Sequence, residues 1–374
     1  MKFEVTRSIL GLYLDEVSKA VSSKSANYSM IKLLVRNNLL ILEATNQELR
    51  IRAAINGESL FGSNDGEALV DGRLFLNIVK KTEGKTITLE EADEKIVVKS
   101  GKSKFSLNKL SNTFPEQKAQ KWDLSFLVKA EVLKNMINKV NVSISSNNSR
   151  IVLQGINIKT EDNLLYMYAT DGYRGSQDYI NLDKLVEGNS NIPEINIIVP
   201  GIELSTIVKT FNHSNVKMSL NKYYISFLYG SIQYDIRLIE GEYPKMASLF
   251  LTDDAQKIIV NKQGLVASVD RASILLDGAI TVLKLDFCQQ ELKISTLRSQ
   301  IGQAVEVIEI ENPNSLELIL GASFKYILDA LKTVESNKVI LNIFSDVKPF
   351  VITSSNPDEC LRQVVFPIRL PDGE

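Results

Sequence analysis

The chain has 374 residues, a length that exceeds one hydrophobic core and fits two or three domains. Apolar residues make up 44% and charged residues 24%, a balance that excludes disordered and fibrous proteins. The formal net charge of −2 excludes a protein that binds polyanions through its overall charge. One histidine, His213, and two cysteines, Cys288 and Cys360, exclude a disulfide framework, a His/Cys metal site and most catalytic triads, unless His213 is the base. We therefore expect no metal and no cofactor.

No segment approaches the roughly 18 consecutive apolar residues that a membrane span requires. Charges at Glu4, Arg7 and Asp15 interrupt the N-terminal stretch where a signal peptide needs an apolar run. We therefore expect a soluble, cytoplasmic protein.

An internal repeat begins at three valines, each at the end of a short β-type run. Counting from each valine, apolar residues recur at offsets 5, 9, 12 and 16, which places them on one face of a helix. The three sets are Val5, Leu10, Leu14, Val17 and Val21; Val128, Leu133, Ile137, Val140 and Ile144; and Val260, Leu265, Val269, Ala272 and Leu276.

A second repeated element joins a strand end, a glycine turn and an amphipathic helix at Gly72, Gly201 and, more weakly, Gly321. In this alignment Ile327 and Leu328 correspond to Ile78 and Val79. A third element is an aromatic–proline pair, and the segments between the elements read as short alternating strands. The pairs are Phe114-Pro115, Tyr243-Pro244 and Phe366-Pro367.

The repeats predict an α+β protein of three tandem units, each with two helices and several strands. We place the domains at residues 1–120, 121–250 and 251–374, so that each has an ordinary domain size.

The predicted helical segments carry a summed charge of +6, and the rest of the chain carries −8. Helices from all three units could therefore form one basic surface, which suits contacts with phosphates that do not read bases. Exposed lysines on helices also serve solubility, so charge alone leaves this interpretation open. From helix position we select five candidates for contact with such a polyanion: Lys80, Lys81, Lys134, Lys139 and Lys209.

Five motifs in order resemble the bacterial sliding clamp family, the β subunits of DNA polymerase III, across essentially the whole chain. They are Met1-Lys2-Phe3-x-Val5, Ser100-Gly101-x-Ser103-x-Phe105-x-Leu107, Ala169-Thr170-Asp171-Gly172-Tyr173-Arg174, Gly241-x-Tyr243-Pro244 and Phe366-Pro367-Ile368-Arg369-Leu370. The resemblance implies a three-domain protomer that dimerises head to tail into a six-domain ring with helices lining the pore. It also implies a non-catalytic protein that encircles duplex DNA and binds polymerases, the clamp loader and repair proteins through their short linear motifs.

The resemblance further implies three groups of site residues. Lys24 and Arg73 would face DNA. A partner-peptide pocket would comprise Leu153, Thr170, Gly172, Tyr173, Arg174, Gly175, Pro244, Leu249, Val364, Phe366, Ile368 and Arg369. To this set we add Arg150, which would rim an apolar cup together with Arg174 and Arg369. The dimer interface would pair Phe105 and Leu107 with Ile274 and Leu275, of which the last two fall outside the core offsets.

Two departures from the family pattern concern this pocket. Gly175 replaces a bulky apolar residue, which predicts a deeper or looser pocket, and residues 371–374 extend past the usual terminal leucine. They motivate one alternative, a divergent clamp copy with a restricted set of partners. A second alternative is a carboxylate-dependent hydrolase that uses Asp253-Asp254 or Glu90-Glu91.

Overall fold

The computed structural model describes most of the chain. The described residues are 1–57, 59–111, 113–117, 120–146, 150–188, 192–212, 214–276, 281–297 and 302–371. His213, the candidate triad base, and residues 372–374 of the C-terminal extension lie outside these ranges.

The elements alternate short strands with a few helices. In the first third they are β1 (Lys2–Thr6), α1 (Arg7–Val17), β2 (Met30–Arg36), β3 (Leu39–Thr45), β4 (Leu49–Ile55), β5 (Leu60–Asn64), β6 (Gly66–Asp71), α2 (Gly72–Lys81), β7 (Thr86–Ala92), β8 (Lys95–Ser100) and β9 (Ser103–Asn108). In the second they are β10 (Leu124–Lys129), α3 (Ala130–Asn141), β11 (Gly155–Glu161), β12 (Leu164–Thr170), β13 (Arg174–Asn181), α4 (Leu182–Leu185), β14 (Val186–Glu187), β15 (Asn196–Pro200), α5 (Gly201–Val208), β16 (Asn215–Leu220), β17 (Tyr224–Tyr229) and β18 (Ile232–Arg237).

The last third has the same plan. Its elements are β19 (Gln256–Asn261), α6 (Lys262–Ser273), β20 (Val282–Cys288), β21 (Glu291–Thr296), β22 (Val305–Glu311), β23 (Leu318–Ser323), α7 (Phe324–Thr333), β24 (Lys338–Ile343), β25 (Phe350–Ser354) and β26 (Arg362–Val365). Single 3-10 turns occupy Ser18–Ala20, Ala26–Tyr28, Ile151–Gln154 and Ala247–Phe250. The longest helices, α3 and α6, have 12 residues, and no helix in the described ranges is long and apolar enough to cross a bilayer.

The chain forms two compact units, residues 1–131 with 206–238 and residues 132–205 with 239–374. The first unit contains a five-stranded sheet, β5-β1-β7-β8-β9, and the run β10-β16-β17-β18-β4-β3-β2-β6. The second contains the sheet β15-β11-β12-β13-β26-β25-β24-β19-β22-β21-β20-β23. The middle third is divided because its strands extend a sheet of the first third and a sheet of the last.

One kind of strand pairing joins successive thirds. We call β9, β18 and β26 the closing strands, and β4, β13 and β22 the receiving strands. Within the first unit β18 pairs antiparallel with β4, and within the second unit β26 pairs antiparallel with β13. In the described ranges β9 pairs only with β8, and residues 305–309 of β22 pair only with β21. The chain therefore keeps one closing strand and most of one receiving strand open.

The first repeated helix confirms the predicted periodicity. Residues at offsets 5, 9 and 12 are at most 2% exposed in all three copies. Residues at offset 16 are only partly buried, because the helices end earlier, at Val17, Asn141 and Ser273. The apolar periodicity thus extends about one turn beyond the helix that it predicts.

The third copy of the second element was aligned wrongly. Gly321 lies inside β23, opposite Lys284, and α7 begins only at Phe324. The buried pair on α7 is therefore Ala330 and Leu331, whereas Leu328 is only partly buried. The strand continues to Ser323 because its ladder with β20 continues to that residue.

A polar group on each paired closing strand reaches the first helix of the preceding third. Tyr234 on β18 is fully buried and donates a hydrogen bond to Glu16 Oε2 (2.9 Å). Thr210 Oγ1 (2.7 Å) and Lys19 Nζ (2.7 Å) donate to the same oxygen. Burial, and then the Glu16 charge, raise the pKa of Tyr234, so its hydroxyl stays a donor. This network links the first and second thirds within one unit.

We predict that Tyr234→Phe lowers the free energy of unfolding by about 1–2 kcal/mol, because Glu16 loses a buried donor while the ring packing is kept. Urea unfolding followed by circular dichroism measures the change. Tyr223→Phe removes a hydroxyl from a tyrosine that is 51% exposed and should change the value by less than about 0.5 kcal/mol. Equal effects of the two variants would contradict a structural role for this hydrogen bond.

Candidate functional site

The turn between β12 and β13 forms one side of the predicted pocket. Asp171 Oδ1 accepts hydrogen bonds from the backbone N–H groups of Tyr173 (2.9 Å) and Arg174 (3.0 Å). Thr170 Oγ1 donates to the Arg174 carbonyl (2.6 Å) and accepts from Gly172 N–H (3.0 Å). These bonds hold the Tyr173 side chain in solvent, where it is 67% exposed.

Arg174 is held in place on three sides. Its guanidinium donates to Asp171 Oδ2 (3.0 Å) and to Asp329 Oδ2 on α7 (2.8 Å), and it lies 4.6 Å from the centre of the Tyr326 ring. Its charge is therefore largely balanced by the protein. Asp329 and Tyr326 were missed in the sequence, since both belong to the element whose copy was misaligned.

The chain after β26 forms the opposite side of the pocket. Phe366 N–H donates to the Tyr173 carbonyl (3.1 Å), and Ile368 N–H donates to the Gly321 carbonyl (2.8 Å). A Cβ on Gly321 would lie 2.4 Å from the Ile368 carbonyl oxygen, so only glycine permits this approach. Gly321 thus serves this contact and not the predicted helix turn.

A buried apolar cluster lies beneath these two segments. Its members are Ile198, Tyr243, Met246, Phe250, Val351 and Val364, with Leu249, Phe366 and Val152 packed against them. The Tyr243 hydroxyl accepts from Thr170 N–H (3.1 Å) and donates to the Gly155 carbonyl (3.3 Å), which ties the cluster to the turn. Burial raises the pKa of Tyr243, so it remains protonated.

The pocket candidates fall into three layers. Leu153, Thr170, Gly175 and Val364 are buried. Arg174, Leu249, Phe366 and Ile368 are partly buried, and Arg150, Gly172, Tyr173, Pro244 and Arg369 are exposed at the rim. The sequence missed Ile151, which is 64% exposed beside Arg150. All thirteen candidates belong to the second unit.

The structure contradicts the deeper pocket expected at Gly175. A Cβ on Gly175 would lie 2.5 Å from Met246 Cε and 3.1 Å from Val364 Cγ1. Met246 is 5% exposed, so its methyl group already fills the space that the missing side chain leaves. An unbranched thioether can fill such a gap because it has three rotatable bonds.

Positive charge is concentrated on one helix. Within its observed bounds α2 has a net charge of +3, whereas α1 has a net charge of −1. The helices other than α2 therefore carry less positive charge than the predicted helical segments did. Arg73, Lys80 and Lys81 on α2 are exposed, as are Lys24 and Lys209 in turns, and Lys134 on α3 is partly buried. Lys80 Nζ lies 2.5 Å from Asp15 Oδ1.

Lys139 was wrongly predicted to face DNA. Its side chain is 17% exposed, and Nζ lies 2.8 Å from Glu335 Oε1 and 3.5 Å from Glu359 Oε1. Burial opposes its charge, but the Glu335 hydrogen bond and the nearby Asp178 and Glu359 outweigh burial and raise its pKa. The sequence could not show this, because the acidic partners are about 200 residues away along the chain.

The candidate interface residues lie in two places: Phe105 and Leu107 on the open strand β9, and Ile274 and Leu275 directly after α6. Phe105 and Leu107 on β9 are partly buried, Ile274 is 76% exposed and Leu275 is partly buried. Val305 and Val307 on the open part of β22 are also about half exposed. Apolar and acidic residues alternate along most of Val305–Glu311, and this pattern in the sequence could have identified Val305 and Val307 as candidates for the interface.

The hydrolase candidates occupy ordinary surface positions. Asp253 and Asp254 lie exposed in a turn. Glu90 lies 3.7 Å from Lys2 and Lys99, and Glu91 accepts from Lys109 and from the N-terminal amine (2.8 Å). The hydrogen bond from Lys109, and then that from the amine, lower the pKa of Glu91. In the described ranges no cluster of His, Cys, Asp or Glu could hold a metal ion.

Three repeats that share strands at their junctions, with a buried apolar cluster beneath the turn between β12 and β13, define a three-domain clamp-type α+β protein. Family models of the DNA polymerase III beta subunit match the chain in three parts: the N-terminal domain at residues 1–117, the central domain at 127–245 and the C-terminal domain at 247–369. The chain belongs to the DNA polymerase III beta subunit family.

The chain resembles individual members of this family along its whole length. It is 28% identical over 381 aligned residues to the beta sliding clamp of Staphylococcus epidermidis RP62A, with 99% of each chain covered. It is similar to the DNA polymerase sliding clamp structure from Bacillus subtilis (27% identity, TM-score 0.89) and to the DNA polymerase III beta chain structure from Streptococcus pneumoniae TIGR4 (25%, 0.92). Each structural match covers 99% of this chain and 100% of the other.

Asp178 generates a testable pH dependence. Burial raises its pKa to about 6, against the opposing effect of Lys139. The pKa of Asp178 in the folded protein thus exceeds its ordinary value of 3.8. Because the folded state holds this proton more tightly than the unfolded state, the free energy of unfolding falls as the pH rises from about 4 to about 6. We predict that Asp178→Asn is about 2 kcal/mol more stable than the parent at pH 7.5 and equal to it near pH 4. Thermal unfolding across this range, with exposed Asp254→Asn as the control, checks it; a pH-independent difference would contradict it.

Proposed function

We propose that the chain is a DNA sliding clamp: a non-catalytic homodimeric ring that encircles duplex DNA and tethers polymerases. Family membership supports this function. The observation that carries it is the pair of open strands, because β9 and β22 are the closing and receiving strands whose equivalents pair inside the chain. Joining β9 of one copy to β22 of another repeats the same junction head to tail, and such a contact must close by rotation.

The internal repeat also predicts the register of this contact. A two-residue hairpin turn lies at the same point of each repeat, and these turns align the three copies: Asn37-Asn38, Asp162-Asn163 and Gln289-Gln290. In this alignment Ala304 of the third copy is equivalent to Ile51 of the first and Ser176 of the second. Tyr234 lies opposite Ile51 and Gln363 opposite Ser176. Phe105, the equivalent of Tyr234, is therefore predicted to lie opposite Ala304.

Side-chain size supports this register. The same alignment places Leu107 opposite Gly302, so two large apolar residues meet two small ones. Leu275 Cδ1 lies 3.8 Å from the position of a Cβ on Gly302, which would bring Leu275 beside Leu107 of the partner subunit. The predicted interface residues Phe105, Leu107, Ile274 and Leu275 would thus be covered by dimerisation.

Tethering is the physical reason for a ring. An enzyme bound to an encircling ring rebinds instead of diffusing away, because its effective concentration stays high. The contacts with DNA must then be weak and non-specific, and a few cations are enough to provide them.

We place Lys24, Arg73, Lys80, Lys81, Lys134 and Lys209 toward the DNA. The pocket candidates would receive the linear motifs of polymerases, the clamp loader and repair proteins. A protein that acts on bacterial DNA in this way would work in the cytoplasm.

We predict that Arg73→Glu reduces retention on nicked circular duplex DNA several-fold without changing the dimer mass, because it reverses an exposed charge on α2. Gel filtration of clamp–DNA complexes measures retention, and light scattering measures mass. Arg36→Glu reverses an exposed charge at the end of β2 and should leave retention unchanged. A monomeric parent, or a parent that stays bound after the circle is linearised, would overturn the ring proposal.

Met246 should limit the size of the anchor that the pocket accepts, because its methyl group occupies the space above Gly175. We predict that Met246→Ala strengthens binding of a phenylalanine-anchored peptide about tenfold relative to the matched leucine-anchored peptide. Fluorescence anisotropy with both labelled peptides measures the ratio. Exposed Lys245→Ala is the matched control and should leave the ratio unchanged. An unchanged ratio for Met246→Ala would show that Met246 lies outside the anchor site.

A further inference from the structure

One charged triad relates the second repeat to the third, whereas in the first repeat Glu16 stands at the position of its cation, eleven residues after Val5. Lys139 lies on α3, eleven residues after Val128, and Arg271 lies on α6, eleven residues after Val260. Arg271 forms an ion pair with Glu306 on the receiving strand β22. On β13 the charge of Asp178 helps to raise the pKa of Lys139, while the ion pairs of Lys139 Nζ are with Glu335 and Glu359.

Glu306 and Asp178 are equivalent positions. Asp178 lies opposite Met167 on β12, and Glu306 lies opposite Ile294 on β21. The hairpin turns that align the copies make Met167 and Ile294 equivalent. The strands β13 and β22 therefore carry a carboxylate at the same point, whereas β4 carries Ala53 there, opposite Leu42.

The third member of the triad comes from the following repeat. Lys139 Nζ lies 2.8 Å from Glu335, which follows α7 by two residues. In the first third Glu83 follows α2 by two residues. The buried pairs Ala330–Leu331 and Ile78–Val79 align the two helices and make Glu83 the equivalent of Glu335.

We propose that Arg271 and Glu83 of the partner subunit form an ion pair across the junction between two copies of this chain, which completes the triad Glu306–Arg271–Glu83. The inference rests on the homodimer proposed above. Exposure supports it: the Arg271 side chain is 55% exposed, whereas its equivalent Lys139, already covered by its own following repeat, is 17% exposed. Glu83 is likewise exposed.

The charges around the triad are balanced. Lys81, which we place toward the DNA, takes the position of Thr333 at the end of its helix, two residues before Glu83, so its cation would also lie near the junction. Together with Arg271, Glu306 and Glu83 it makes a neutral group of four charges. Such a group favours a second copy of this chain over a partner with a different charge pattern.

A double-mutant cycle on the full-length chain tests the pair. The dimer dissociation constant is measured by sedimentation for the parent, Glu83→Gln, Arg271→Gln and the double variant. We expect Glu83→Gln to weaken the dimer about tenfold in the parent and less than about twofold in the Arg271→Gln background. Raising the salt concentration should reduce the difference.

Control measurements distinguish failure of the Arg271–Glu83 ion pair from failure of the proposed homodimer. Exposed Glu48→Gln removes the same charge from the same third and should leave dimerisation unchanged, and unchanged melting of Glu83→Gln would exclude a folding defect. A monomeric parent would refute the proposed homodimer. A dimeric parent with equal effects of Glu83→Gln in both backgrounds would refute the ion pair alone.

Discussion

The structure depends on one interaction, the antiparallel pairing of a closing strand with the receiving strand of the preceding repeat. This pairing merges neighbouring repeats into continuous sheets, so the middle third has no sheet of its own and is divided between two units. Polar groups complete each junction: Tyr234 reaches Glu16 in the first unit, and Gln363 Nε2 reaches the Lys139 carbonyl (3.0 Å) in the second. Strand pairing, in addition to the connecting chain, therefore holds successive repeats together within each unit.

Much of this architecture could be predicted because the repeat is periodic and local. The helices that follow Val5, Val128 and Val260 begin and bury their residues as the offsets indicate. The third copy of the second element was misaligned by three residues because glycine marks two different features. Gly72 and Gly201 begin helices, whereas Gly321 permits a close approach of the chain after β26. Sequence does not distinguish a glycine at a turn from one at a backbone contact.

The site was less predictable because its decisive contacts are long-range. Gly175 indicates missing volume, but only the fold shows that Met246 supplies it from a different segment. Lys139 has the sequence features of an exposed helical lysine, but strand pairing brings Glu335 and Glu359 to it. The equivalent of Gly175 in the first repeat is Arg50, which donates to Glu43 and lies 5.6 Å from the Phe114 ring. The glycine in the second unit leaves room for Met246, whereas the arginine in the first unit places a charged side chain at the equivalent position.

The open strands have a consequence for the unassembled chain. Unpaired β-edges are templates for any extended polypeptide, and an edge that exposes Val305 and Val307 is a hazard for aggregation. Lys104 on β9 places an exposed charge on the other edge, a common protection against such pairing. In the proposed ring both edges are paired and the hazard disappears. Assembly would then also protect the protein during the interval between synthesis and loading, and protomers kept at concentrations below the dimer dissociation constant would be the species most prone to precipitate.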